Sequence, residues 1–181
     1  MATIPPATPP THPVRVAGLV ASFLGANDRL IALLQTVDDT TAVQPRDGGW
    51  SAAQIGSHVA MTNLRIARVL VEAEAVATPE GFAEDWARLT IPARIDAPRS
   101  LEPSIDTTRA AAIDQLQASR EAVVRAIRGL SAERASACVP SRFGTMSFYQ
   151  MAEFITRHVD RHIGQAQRTV AWLMAEGGMR S

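Results

Sequence analysis

The apolar positions Val16, Leu19, Val20, Phe23, Leu30, Ile31, Leu34 and Val37 recur at three and four residues, the period of one face of a helix. This spacing predicts a first helix over residues 14–38. After the turn-rich stretch QPRDGG, Ser51 and Gln54 have the form of a capping box and open a second helix over 51–75; the serine accepts from the free amides while the glutamine reaches back. Residues 78–106 hold four prolines and one short helical candidate at 79–89, so they read as a long irregular connection able to lie over one end of a bundle. Asp106 or Thr107 is the expected cap of a third helix, with the stripe Ile113, Leu116, Val123, Val124 and Ile127 and a stop at Gly129. A short turn begins at Ser131. A second box, Ser147 with Gln150, opens the last long helix, whose stripe runs through Met151, Phe154, Ile155, Val159, Ile163, Val170 and Leu173 to Gly177 and Gly178. No segment alternates as a strand does. Four amphipathic stripes are buried together in an all-α four-helix bundle, and the long connection between the second and third helices permits a crossover.

Length and composition narrow the class. With 181 residues, 46% apolar and 20% charged, the chain is one ordinary globular domain. The proline-rich residues 1–13 read as an extended tail, without the basic and apolar regions of a signal peptide, and 14–181 as the bundle. No stretch approaches the roughly 18–20 consecutive apolar residues of a membrane span. The net charge is zero, so no overall field recruits nucleic acid or an anionic membrane, and no basic patch is evident. All eighteen basic residues are arginine, which excludes P-loop, lysine Schiff-base and Ser-Lys chemistry. The single cysteine, Cys138, closes no intramolecular disulfide and forms no Cys-rich zinc site; a cytoplasmic location is the expectation.

The histidines carry the most chemical information. His12 falls in the proline-rich tail and is set aside. His158 and His162 stand four residues apart on the last helix, the spacing at which two imidazoles on one face can grip one metal ion. They continue the core stripe, so both rings are expected to point inward, as is His58, which shares a face with Ile55, Val59, Thr62 and Ile66. A single inward histidine is ordinarily a core residue with a satisfied hydrogen bond. Three together are accounted for more simply by one shared ion. Neutral imidazoles suit zinc, nickel, copper or ferrous iron, and three protein ligands leave open positions for water or substrate. The zinc-peptidase motif is absent, because Val159 follows His158 and Asp160 faces away.

Two runs, Gly49–Val59 (GWSAAQIGSHV) and Gly144–Gln165 (GTMSFYQMAEFITRHVDRHIGQ), resemble the signature segments of the DinB-like family. There a Trp-Ser pair opens the second helix eight residues before the first metal histidine, and a glycine, a short turn and an H-x-x-x-H helix supply the other two. The resemblance covers both site helices and their order; helices one and three match in length and pattern only. It implies an up-down-down-up bundle, often a homodimer, that binds a divalent ion (zinc, nickel or iron) through His58, His158 and His162. Relatives include bacillithiol S-transferases and mycothiol-dependent maleylpyruvate isomerases, in which the metal binds a low-molecular-weight thiol as thiolate. The isomerases carry glutamate at the position of His158, which argues against that reaction here.

The function expected is therefore a metal-dependent thiol S-transferase acting on a small molecule, without nucleic-acid or membrane partners. The alternatives are a metal-dependent hydrolase, a non-catalytic metal or small-ligand binding module, and a structural bundle without metal. No catalytic residue is assigned. Trp50 either staples the start of the second helix or lines the pocket mouth; Arg157 and Arg161 are either solvated or meet an anionic substrate; Gln165 is either a polar edge residue or the support of a ligand. Cys138 is read as a buried small residue, and Tyr149 carries no argument.

Overall fold

The structure, a computed structural model, describes residues 10–89, 91–92 and 96–178. Residues 1–9 of the expected tail lie outside it. In chain order the elements are α1 (His12–Thr36), the short α2 (Asp39–Val43), α3 (Ala52–Glu72), α4 (Arg109–Arg128), the short α5 (Ala132–Ser136), a hairpin of β1 (Cys138–Ser141) and β2 (Gly144–Ser147), and α6 (Phe148–Gly178). The long crossover between α3 and α4 holds only two 3-10 turns, Trp86–Arg88 and Arg99–Leu101.

Local chemistry sets the helix ends. α1 begins at His12, two residues before the expected start, because Pro13 occupies the first turn, where a missing N–H and a fixed φ cost nothing. Both capping boxes form: Ser51 Oγ accepts from Gln54 N at 3.2 Å while Gln54 Oε1 accepts from Ser51 N at 3.0 Å, and Ser147 and Gln150 repeat the exchange at 3.1 Å in each direction. The cap of α4 is Thr108, not Asp106 or Thr107. The hydroxyl of Thr107 is spent on Ser104 O at 2.7 Å, whereas Thr108 Oγ1 accepts from Ala111 N at 3.1 Å. α2 was not foreseen; Asp38 caps it by accepting from Thr41 N at 2.9 Å.

The hairpin corrects the expectation of no strands. β1 and β2 pair antiparallel from Cys138↔Ser147 to Ser141↔Gly144. Their burial does not alternate: each strand is buried at the end nearest the bundle and exposed toward the tip. A period of two was therefore never written into these residues.

The helix directions follow from side-chain contacts. Asp28 pairs with Arg120, and the Val37 carbonyl at the end of α1 accepts from Arg109 at 2.6 Å, so α1 and α4 run antiparallel. Gly56 lies against Ala112 and Leu116, while Asn63 donates to Ser119 at 3.4 Å, so α3 and α4 run parallel. His12 meets Tyr149 and Arg29 meets Asp160, so α1 and α6 also run parallel. The result is an up-down-down-up four-helix bundle. Its core is built from Phe23, Leu30 and Leu34 of α1, Ile55, Val59 and Leu70 of α3, Leu116, Val123 and Ile127 of α4, and Phe148, Ile155 and Val159 of α6. α1 is the one described helix long and apolar enough, by length and composition alone, to cross a membrane, where none was expected to qualify; its buried stripe packs within this core.

Candidate metal centre

α3 and α6 face each other across the bundle, and one turn of each supplies the histidines. The Ser51 box fixes the start of α3 seven residues before His58, and the Ser147 box fixes the start of α6. Gly56 lets α3 seat deeply. A Cβ there would stand 2.9 Å from Leu34 Cδ1 and 3.3 Å from Ala112 Cβ, so a side chain would force Leu34 to move and crowd the α3–α4 contact.

His58, His158 and His162 converge, with one ligand nitrogen from each lying within 4.8 Å of the others. Their ring centroids are 4.4 Å (His158–His162), 4.8 Å (His58–His162) and 5.3 Å (His58–His158) apart. Among the described residues this is the one group of three or more His, Cys, Asp or Glu gathered closely enough to hold a metal ion.

Two of the rings have a hydrogen-bond partner at Nδ1. His58 Nδ1 lies 2.8 Å from the backbone carbonyl of Leu101, and His162 Nδ1 lies 2.9 Å from Gln165 Oε1. The carbonyl can only accept, so it assigns the proton to Nδ1 of His58 and leaves the Nε2 lone pair for the centre, whereas the Gln165 amide carries both an acceptor and a donor. The Nδ1 of His158 is buried without a protein partner. A lone polar atom in such surroundings is costly, and a divalent ion shared with the other two rings fits this donor set.

Electrostatics points the same way. Burial lowers the pKa of all three rings: His162 to about 4, with the His58 charge second and Arg161 a lesser cause; His158 well below 6.5, where His162, His58 and Arg161 add to desolvation; and His58 more modestly, the Leu101 carbonyl opposing the shift. The imidazoles are therefore neutral at neutral pH, as metal ligands must be.

The surroundings are aromatic. The Trp50 ring stands 4.7 Å from that of His58, and Phe154 stands 6.0 Å from His158 and 5.4 Å from Phe143 at the hairpin turn. Trp50 thus packs the start of α3 and walls the centre at once. Arg157 lies on the outer face, bonded to Glu153 and 4.2 Å over the Trp86 ring. Arg161 is exposed, yet its charge reaches two of the histidines. Asp160 points away, to Arg29 at 2.5 Å. Cys138 is buried in β1. A separate open groove of about 570 Å³ runs along α3 from Ser100 and Leu101 of the crossover past Met61, Arg65 and Arg68 to Ala73, and none of the three histidines lines it.

Sequence reasoning missed His12 and Tyr149. His12 belongs to α1, and its Nδ1 meets the Tyr149 hydroxyl at 2.6 Å while Nε2 meets Leu130 O at 3.1 Å. The carbonyl can only accept, so Nε2 carries the proton and Tyr149 donates to Nδ1. Arg15 covers the Tyr149 ring at 3.7 Å and pairs with Glu84, which also accepts from Ser147 Oγ at 2.6 Å. No local signal announced this pairing across 137 residues of sequence separation.

Residues 22–166 match the family model of the DinB superfamily. The chain belongs to the DinB superfamily. Among solved structures, this DinB protein is similar to YfiT from Bacillus subtilis, described as a probable metal-dependent hydrolase with an unusual four-helix bundle topology; the match has a TM-score of 0.59 and 14% identity over 96% of this chain and 95% of that one. At that identity the likeness establishes a shared fold. No curated protein matches this DinB chain.

Proposed function

We propose that this DinB protein is a metal-dependent thiol S-transferase: His58, His158 and His162 hold one divalent ion, and the open coordination positions take a low-molecular-weight thiol. The observation that carries the reading is the donor set, three neutral imidazoles converging within 4.8 Å with no carboxylate among them. A bound divalent metal lowers the pKa of a coordinated thiol or water, turning a weak nucleophile into a strong one. The residues do the rest. The Leu101 carbonyl holds His58 in the ligand tautomer, while the Trp50 and Phe154 rings flank the histidines.

The choice of thiol over water rests on the donor set: among the described residues no carboxylate joins the three histidines as a base. Asp160 and Glu153 are turned to Arg29 and Arg157, so neither joins the histidines to take a proton. A thiol, with an ordinary pKa of about 8.5, needs less help than water at about 15.7. The protein is taken to be cytoplasmic and homodimeric, in keeping with its single cysteine and with the resemblance already described.

A hydrolase is the second reading, supported by the structural likeness to YfiT. One experiment separates the two. Purified protein and a His58→Ala, His162→Ala variant are analysed for metal, then assayed with an aryl halide plus a small thiol and, separately, with activated esters and amides. Thiol consumption that needs the metal and the histidines supports the transferase; ester or amide cleavage without thiol supports the hydrolase. One equivalent of metal with neither activity leaves a binding module, and no metal in the wild type overturns the reading altogether.

A further inference from the structure

The supports of His58 and His162 differ in kind. Leu101 meets His58 with a backbone carbonyl, which can only accept. Gln165, one turn beyond His162 on α6, meets it with a side-chain amide at 2.9 Å. That amide has two faces. With its oxygen toward the ring, Nδ1 carries the proton and Nε2 keeps its lone pair; with its NH₂ toward the ring, Nδ1 must accept and Nε2 carries the proton instead. Only the first arrangement leaves His162 able to ligate.

We propose that Gln165 is a positioning residue: through its bond to His162 Nδ1 it selects the tautomer that leaves Nε2 free, and so sets the metal affinity of the centre. The affinity half rests on the metal-binding reading above; the tautomer half concerns the metal-free chain alone. The side chain is suited to this role by its place, half-buried at the edge of the bundle while the histidine it holds is buried. Its bond also fixes the ring's rotation, since Gln165 and His162 stand on the same face three residues apart.

The test compares wild type, Gln165→Leu, which removes the acceptor at similar volume, and Gln165→Glu, which keeps an oxygen acceptor and removes the ambiguous NH₂. Nitrogen-15 imidazole spectra of the metal-free proteins at neutral pH report the tautomer, and zinc competition against a chromophoric chelator reports affinity. His162 is expected as the Nδ1–H form in wild type and Gln165→Glu, and wholly or partly as the Nε2–H form in Gln165→Leu. Zinc is expected to bind Gln165→Leu about 10- to 100-fold more weakly, with Gln165→Glu restoring the wild-type value. An Nε2–H ring in wild type, or no change in Gln165→Leu, overturns the proposal. Equal loss of zinc in both variants, tracking a fall in melting temperature, also overturns it and leaves Gln165 a structural residue. Tautomers as expected with no zinc bound by any protein would overturn the metal reading, and the affinity claim with it.

Discussion

Two regions of this protein are built around histidine, and they use the ring in opposite ways. At the start of α1, His12 spends both nitrogens on the fold, one on the Tyr149 hydroxyl and one on the Leu130 carbonyl. Across the bundle, His58 and His162 each commit one nitrogen and His158 leaves a buried Nδ1 without a protein partner. The first ring ties α1 to the start of α6 and the end of α4. The other three are desolvated and disfavour one another's protonation, so they stand as neutral rings with lone pairs turned to one place. Unspent nitrogens, more than histidines as such, mark the candidate metal centre.

The largest expected effect separates the regions outright. Replacing His58 and His162 together by alanine should take bound metal from about one equivalent to none, whereas His12→Ala should leave it unchanged; elemental analysis of the three proteins decides this. Equal metal content in all three would erase the distinction.

Acid should act on the cluster. Its pKa values are lowered on folding, so the unfolded chain binds more protons below its ordinary value of about 6.5, and folding stability falls with pH. For His162 the loss begins near 6.5 and is complete below about 4, amounting to about 3 kcal/mol. Urea titrations of the metal-free protein across this range should show it, and the His58→Ala, His162→Ala variant should show a much flatter dependence. An equally steep dependence in the variant would place the acid sensitivity elsewhere.

At the other region the effects are on stability alone. His12→Ala removes both bonds and orphans the buried Tyr149 hydroxyl, at a cost of about 2 kcal/mol in chemical unfolding. Tyr149→Phe keeps the ring under Arg15 and loses only the hydroxyl, at a cost of about 1 kcal/mol with metal content untouched. A change in metal binding by either variant would show that the two regions are coupled.

By itself the sequence determined the four long helices, both capping boxes and the inward aim of His58, His158 and His162. Helical period and short-range capping are properties of neighbours, and Ser51 with Gln54 or His158 with His162 can be read from residues three or four apart. Tertiary structure decided what depends on distant partners. Thr108 caps α4 because Thr107 is drawn to Ser104; the hairpin from Cys138 to Ser147 forms without alternation because its burial is set by distance from the bundle. His12, set aside as part of a tail, became a structural clasp only because α1 and α6 run side by side and bring Tyr149 to it. The same helix packing brings His58 against two histidines a hundred residues further on. A local pattern can aim a side chain, but only the packed bundle fixes what it meets and whether its last lone pair is spent.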